Sequence, residues 1–160
     1  MQTGMHTDVY RDAIGHFTTG VAVVTSVGEN GPSGLTANAV TSLSLDPLLM
    51  LVCLDRGSRT LKAIEHSGRL AVNVLARGQE ELARGFAAKG PEHEKFTGVS
   101  WRDREGLPEL DGVVAWLAGD VTDLLPGGDH VIAVTAVKHV DAPGGEPLVY
   151  FRGAFHSLGD

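Results

Sequence analysis

The hydrophobic pattern of the chain consists of short apolar runs separated by glycine- and proline-rich turns. Runs of this length that are bounded by turn residues predict strands. The predicted strands cover residues 21–26, 34–44, 48–54, 69–75, 113–125, 131–140 and 148–158. The cluster Gly28-Glu29-Asn30-Gly31-Pro32 predicts a tight hairpin between the first two strands.

Three shorter segments carry apolar residues at helical spacing. They predict helices over residues 10–17, 59–66 and 79–88. Ser58 can cap the second helix and Gly68 can end it. Residues 89–112 are polar and predict a long loop.

Counting these segments gives six or seven strands and two or three short helices. Because the strands do not alternate one-to-one with helices, the pattern favours an antiparallel barrel over a doubly wound sheet. We therefore expect a mainly β domain over residues 10–160, preceded by a flexible tail over residues 1–9.

Charge and composition narrow the range of partners. Thirteen Lys and Arg against twenty Asp and Glu give a net charge of −7, which argues against nucleic acid or an anionic membrane as a partner. A local cluster of N–H, hydroxyl and cationic groups can still hold a small phosphate. The single cysteine, Cys53, excludes an internal disulfide, and the polar start shows no secretory signal. No apolar run approaches the ~20 residues of a membrane helix, so we expect a soluble cytoplasmic protein.

Several common catalytic signatures are missing from the sequence. There is no G-x-G-x-x-G after a strand, no phosphate-binding G-x-x-x-x-G-K-[ST] and no G-x-S-x-G elbow. C-x-x-C and H-E-x-x-H are also absent, and the seven histidines are scattered, so we expect no metal site.

Three polar or glycine-rich clusters remain as candidates. In Thr36-Ala37-Asn38-Ala39, small side chains would let a flat ring approach the backbone while the hydroxyl and amide hydrogen-bond its heteroatoms. The alternative is the polar face of a solvated strand. In the run from Cys53 to Thr60, a loop that enters a helix beside two arginines could seat a phosphate. The alternative there is a simple N-cap by Ser58.

The third cluster, Gly127-Gly128-Asp129-His130, is first of all a hairpin turn. Its functional interpretation is a histidine that projects over a pocket and contacts a cofactor or substrate. Taken alone, the chemistry of this cluster favours the turn, and Cys53 is expected to be a small buried residue.

In their order and spacing these clusters resemble the short-chain flavin reductases of two-component monooxygenase systems, which have the FMN-binding split-barrel fold. The matching pieces extend over residues 17–21, 23–25, 34–39, 42–47, 53, 58–60, 72–75, 79, 82–83, 86–87, 96–99, 128–130, 147–150 and 153. The resemblance therefore implies a Greek-key, antiparallel split β-barrel with a few short flanking helices. Two positions depart from the family pattern: Ala39 stands where relatives often have Ser, and Thr18 where they often have Pro.

The resemblance also implies site residues and a homodimer with the flavin near the subunit interface. The isoalloxazine would be lined by Thr36, Ala37, Asn38 and Ala39, with Ser44 and Leu45 approaching from the adjoining segment. The ribityl phosphate would be held by Cys53, Leu54, Asp55, Ser58, Arg59 and Thr60. The phosphate or adenylate end would lie near Arg84, Phe86 and Ala87. His130 would sit by the nicotinamide.

The activity implied is an NAD(P)H:flavin oxidoreductase that reduces FMN or FAD by hydride transfer and supplies the reduced flavin to a partner monooxygenase. Hydride would pass from the nicotinamide C4 to the flavin N5, so no side chain has to act as an acid or base in that step. The sequence leaves open FMN against FAD and NADH against NADPH. A non-catalytic flavin carrier on the same barrel is the alternative. An oxidase of the pyridoxamine-phosphate type is disfavoured by the Gly-Asp-His segment.

Overall fold

The computed structural model describes residues 4–159, and strands account for most of its regular structure, as the sequence predicts. The helices in that range are α1 Thr7–Gly15, α2 Arg59–Ser67, α3 Glu80–Ala87 and α4 Glu92–Lys95. The strands are β1 Thr19–Gly20, β2 Ala22–Gly28, β3 Gly31–Ala37, β4 Val40–Leu45, β5 Leu48–Asp55, β6 Arg69–Val74, β7 Trp101–Arg104, β8 Leu107–Leu110, β9 Ala115–Gly127, β10 His130–Asp141, β11 Val149–Phe151 and β12 Ala154–His156. No helix in this part of the chain is long and apolar enough to cross a membrane.

Seven of the strands form one antiparallel sheet in the order β3-β2-β6-β9-β10-β5-β4. Although β3 and β4 are neighbours along the chain, they lie at opposite edges, so hydrogen bonding does not close the sheet. The connection from β5 to β6 crosses the sheet and carries α2, which packs on β2. Two smaller sheets, β1-β11-β12 and β7-β8, complete the architecture.

The core lies on both faces of the large sheet. Strand β2 shows the division, because Val23 belongs to one apolar cluster and its neighbours Ala22 and Val24 belong to the other. On one face α3 contributes Phe86, and on the opposite face α2 contributes Ile64. Burial on two faces explains why the central strands are nearly continuous apolar runs in the sequence.

Two predicted strands are each two strands in the structure. The stretch 34–44 divides into β3 and β4 because Asn38 and Ala39 are exposed and carry the chain from one edge of the sheet towards the other. The stretch 148–158 is the hairpin β11–β12, whose turn residues Arg152 and Gly153 have φ of 48° and 78°. Positive φ at both central positions is the geometry that two-residue hairpins favour.

The prediction of a long loop over residues 89–112 is wrong, because this segment contains α4 and the hairpin β7–β8. Each of these elements is only four residues long, which is too short for a hydrophobic period to show. Their stabilising contacts are also distant in sequence. The buried Asn73 of β6 accepts a hydrogen bond through Oδ1 from the Leu110 backbone N–H, at 2.9 Å. The strand count of six or seven was accordingly too low.

Helix α4 caps the exposed edge of β3. The Gly34 N–H donates to Glu92 Oε2 at 3.2 Å, and Lys95 Nζ donates to the Gly34 carbonyl at 3.1 Å. The two side chains also pair with each other at 3.4 Å, and they are only 16% and 11% exposed. A charged pair therefore satisfies the N–H and the carbonyl of Gly34 at this edge of the sheet.

Helix α1 begins at Thr7, three residues before the predicted start. The predicted tail over residues 1–9 lies partly outside the described residues, and its last three residues belong to this helix. The apolar face of α1 is largely uncovered by its own chain: Ile14 is 52% exposed, and Phe17 just beyond the helix is 74% exposed.

Gly119, at the centre of β9, should not tolerate a side chain. It faces Val137 of β10 beside a register irregularity, and an added Cβ would collide with the Ala136 carbonyl oxygen. We expect Gly119→Ala to lower the free energy of unfolding by about 1–3 kcal/mol, measured by urea denaturation. Gly85→Ala is the matched control, because Gly85 lies in α3 with open space around its Cα. The control should be neutral or more stable by up to about 1 kcal/mol. Equal effects of the two substitutions would contradict the steric argument.

The contacts of Glu92 and Lys95 with Gly34, here called the edge clamp, predict slow hydrogen exchange at the Gly34 amide. In Glu92→Ala the Gly34 N–H loses its carboxylate acceptor, so its hydrogen exchange should accelerate on the order of tenfold. Glu94→Ala removes an exposed carboxylate from the same helix and should leave this amide unchanged. Site-resolved exchange by NMR checks both variants. Unchanged exchange at Gly34 in Glu92→Ala would show that the clamp does not protect the edge.

Candidate functional site

A cleft of about 620 Å³ brings together most of the residues that the sequence singled out. It lies between the N-terminus of α2, the link from β3 to β4, the end of α3 and the start of β10. The predicted residues that line it are Thr36, Ala37, Asn38, Ala39, Cys53, Asp55, Ser58, Arg59, Thr60, Phe86, Ala87 and His130. The site is thus assembled from segments that are far apart in sequence.

The pairing of β5 with β10 joins two of the three candidate clusters. In this antiparallel register Asp55 lies opposite His130, and Cys53 lies opposite Ile132. The loop that follows β5 therefore sits beside the hairpin turn that precedes β10. Alternation along β5 also explains why Cys53 reaches the cleft while Leu54, its neighbour, is fully buried in the core.

The loop after β5 leads into α2, and hydrogen bonds hold its polar side chains in place. Asp55 Oδ1 accepts a hydrogen bond from the Gly57 N–H at 2.7 Å. Ser58 is the N-cap of α2, and its Oγ accepts from the Leu61 N–H at 3.1 Å. Ser58 thus fulfils the simpler interpretation, a helix cap, and also lines the cleft. The helix N-terminus beside it directs partial positive charge towards this end.

Two neighbouring residues at this helix start have different environments. The Arg59 guanidinium is exposed at the cleft and donates to the Gly90 carbonyl, which links α2 to the segment before α4. Thr60 is fully buried, and its hydroxyl is 2.9 Å from the Ser33 hydroxyl. Arg59 is therefore the side chain of this pair that can contact an anion, while the Thr60 hydroxyl is engaged with Ser33.

The segment between β3 and β4 forms a wall of small residues. Thr36 Oγ1 donates to the Ala83 carbonyl at 2.6 Å, so this hydroxyl can only accept from a ligand. The Ala39 carbonyl accepts from the Cys53 N–H at 3.0 Å, which fixes the segment to β5. Ala37 and Ala39 leave the backbone approachable, and the Asn38 amide is exposed at the rim. A planar ring fits such a surface.

Beside the loop after β5, His130 is held by its sequence neighbour. Asp129 Oδ1 and His130 Nδ1 are 2.7 Å apart. The hydrogen bond with His130 is the main cause that lowers the pKa of Asp129. Because an ionised carboxylate can only accept a hydrogen bond, Nδ1 is the donor of this pair. The imidazole, which is 43% exposed, then has Nε2 available for a ligand.

Four predicted site residues do not line this cleft. Leu54 belongs to the core. Arg84 pairs with Glu81 at 3.0 Å, and its guanidinium lies 5.3 Å from the centre of the Phe155 ring. Ser44 and Leu45 pair with the first residues of β5, at the end away from Asp55. Their contacts with a ligand stay predictions.

Sequence reasoning missed one wall of the cleft. Lys89, Gly90, Glu92 and Lys95 line it together with Ala88. The only signal in the sequence was a Glu and a Lys three residues apart, which is common on solvated helices. Their role depends on Gly34, which is distant in sequence and is clamped by both side chains.

A second, larger groove of about 1130 Å³ adjoins the cleft. The two share Ala37, Asn38, Ala39 and Cys53, so the same short segments face both spaces. The groove is mainly apolar and is bordered by α1, β1 and the β11–β12 hairpin. Among residues 4–159, no three His, Cys, Asp or Glu side chains are grouped so that they could hold a metal ion.

Comparisons with known proteins identify the family of the chain. The flavin reductase like domain model matches residues 14–159. A probable flavin reductase of Rhizobium meliloti is 42% identical over 147 residues, which cover 91% of this chain and 47% of that protein. The chain thus spans about half the length of that relative. The reductase subunit HsaB of a flavin-dependent monooxygenase of Mycobacterium tuberculosis is 37% identical, with 93% and 81% covered.

Solved structures show the same fold. The NADH:FAD oxidoreductase SgcE6 of Streptomyces globisporus superposes with a TM-score of 0.91 at 35% identity, covering 100% of this chain and 98% of that one. The flavin reductase PheA2 gives a TM-score of 0.89 at 32% identity, with 98% and 100% covered. These matches confirm the predicted split-barrel fold and the resemblance on which it rested. The chain belongs to the flavin reductase-like family.

Proposed function

We propose that this protein is an NAD(P)H:flavin oxidoreductase that reduces FMN or FAD and passes the reduced flavin to a partner monooxygenase. The observation that carries the proposal is that one cleft brings together the N-terminus of α2, the wall of small residues and His130. Relatives named as NADH-dependent flavin reductase and as reductase components of monooxygenases support it.

The phosphate end suits a flavin nucleotide. The N-terminus of α2 offers partial positive charge, and Arg59 adds a full charge whose hydrogen-bond partner, the Gly90 carbonyl, is neutral. Ser58, the N-cap of α2, also lines the cleft. We therefore assign the phosphate to Arg59 and the start of α2, with Thr60 as support.

The ring end suits a flat heterocycle. Ala37 and Ala39 leave room for an isoalloxazine over the backbone, and the Asn38 amide can hydrogen-bond a ring heteroatom. Thr36, whose proton is committed to Ala83, would accept from a ring N–H. Bound flavin would supply the hydride acceptor, which none of the twenty amino acids provides.

His130 positions the pyridine nucleotide in this proposal. Asp129 holds the imidazole through Nδ1, which leaves Nε2 available to contact the pyridine nucleotide. Since the hydride moves between two cofactors, the side chain has to orient the donor and not to transfer a proton.

The second groove supports the predicted homodimer. The uncovered apolar side chains of α1 and of Phe17 border a mainly apolar groove that adjoins the cleft. A second copy of the chain would bury these groups. Because Ala37, Asn38, Ala39 and Cys53 face both spaces, the flavin ring would then lie near the subunit interface.

The activity itself is directly testable. Purified protein with added FMN or FAD should oxidise NADH or NADPH, followed as loss of the near-ultraviolet absorbance of the reduced nicotinamide. Omitting the flavin should abolish the reaction unless flavin copurifies, which the visible spectrum of the protein reports. Protein that binds flavin but oxidises neither nucleotide would favour the carrier alternative. Hydrogen peroxide formed with pyridoxamine phosphate as substrate would favour the oxidase alternative.

Replacing the histidine separates binding from turnover. His130→Ala should raise the KM for the pyridine nucleotide about tenfold or more, because the group that positions the nicotinamide is lost. Flavin affinity, measured by fluorescence titration, should be nearly unchanged because the proposed phosphate site at Arg59 and the start of α2 is intact. His66→Ala is the control, since His66 is an exposed histidine on α2 outside both pocket linings. An unaltered KM in His130→Ala would remove this residue from the mechanism.

A further inference from the structure

Arg56 does not line the cleft, but it connects the loop after β5 to the turn that precedes His130. Its backbone N–H donates to the Asp129 carbonyl at 3.1 Å, and its side-chain Nε donates to the Gly128 carbonyl at 2.7 Å. Both acceptors belong to the turn that precedes His130. One exposed arginine thus holds the histidine turn against the loop after β5.

Arg56 belongs to the loop between β5 and α2, to which the proposed function assigns the flavin phosphate. The Ser58 N–H donates to the Asp55 carbonyl at 3.1 Å, and the Gly57 N–H donates to the Asp55 carboxylate at 2.7 Å. These bonds fold residues 55–58 into one tight turn whose last member, Ser58, caps α2. Arg56 and the helix cap Ser58 therefore belong to the same hydrogen-bonded turn, two residues apart.

On the other side, the histidine turn is held by the pairing of His130 with Asp55 and with Gly127, and by the two bonds from Arg56. Gly128 has a φ of 69°, and Gly127 pairs with His130, so the tip of the hairpin is two residues long. Asp129 is 93% exposed, and it fixes the ring of His130 through Nδ1. Strand pairing fixes the backbone of His130, so Arg56 can act on the imidazole through the hairpin tip and the Asp129 carboxylate that this tip carries.

We propose that Arg56 is a positioning residue that couples flavin binding to pyridine nucleotide binding. The inference rests on the proposed function, which places the flavin phosphate at the loop and the nicotinamide at His130. A phosphate on the α2 N-terminus fixes residues 55–58, and Arg56 then fixes the His130 turn. Bound flavin thereby holds His130 in the position that binds the pyridine nucleotide. By thermodynamic linkage, bound pyridine nucleotide tightens flavin binding by the same factor.

Binding measurements with unreactive partners test the coupling. The affinity of NAD⁺ and of NADP⁺ is measured by calorimetry with and without saturating FMN, and again with FAD. In the unaltered protein we expect flavin to tighten binding of the preferred nucleotide by about fivefold or more. In Arg56→Ala this ratio should fall to near one, while the affinity for flavin alone changes by less than about twofold.

Arg56→Lys distinguishes a positioning role from a simple charge effect. Lysine keeps the cation, but it has no planar Nε donor at the position that bonds the Gly128 carbonyl. The coupling should therefore be lost in Arg56→Lys as well, and the KM for NAD(P)H should rise in both variants. If Arg56 instead contacted the phosphate, lysine would restore function and alanine would weaken flavin binding. Arg102→Ala, which removes an exposed arginine paired with Glu109, is the control and should keep the coupling.

The outcomes separate this inference from the proposed function. Absence of flavin-dependent NAD(P)H oxidation by the unaltered protein would refute the function. Normal oxidation together with undiminished coupling in Arg56→Lys and Arg56→Ala would overturn the inference alone, as would a ratio near one in the unaltered protein. Thermal unfolding of each variant establishes that the fold is intact, and Arg56→Lys decides the question if the alanine variant is unstable.

Discussion

The candidate site depends on the antiparallel pairing of β5 with β10, in the register that sets Asp55 opposite His130. Seven residue pairs hold this register, and a slip by one residue would exchange the faces of β5. Leu54 would then leave the core and Cys53 would enter it. The hydrophobic core therefore fixes the position of the loop after β5 beside the turn before β10. The geometry of the site is thus set by the burial of apolar side chains.

Burial on both faces of the sheet positions the remaining walls. Helix α2 has to cover one face with Leu61 and Ile64, so its N-terminus comes to lie at the end of β5. Helix α3 covers the other face with Phe86, whose ring leaves no space for a Cβ at Gly34. The helices are thus held by packing, while their ends and the loops between them supply the polar groups of the cleft.

Local chemistry made part of this structure predictable. The Ser58 cap, the Gly68 stop and the hairpin turn at residues 28–32 follow from the preferences of single residues, and all are present. The wall formed by Glu92 and Lys95 was not predictable from the sequence. Both side chains are placed by hydrogen bonds to the backbone of Gly34, which is far away in sequence. The same holds for Asn73, whose polar side chain in an apolar strand is satisfied by β2 and β8. Family resemblance, not periodicity, assigned roles to Thr36, Asn38 and His130.

The net charge of −7 does not oppose an anionic ligand, because charge is distributed unevenly. Several arginines outside the cleft are paired with carboxylates, among them Arg102, Arg104 and Arg152. Arg59 instead donates to a carbonyl, which leaves its full charge in place beside the positive end of α2. The short range of screened electrostatics makes this local excess decisive for a phosphate bound in the cleft, while the acidic remainder repels extended polyanions. An acidic protein can therefore select a small nucleotide and still reject nucleic acid.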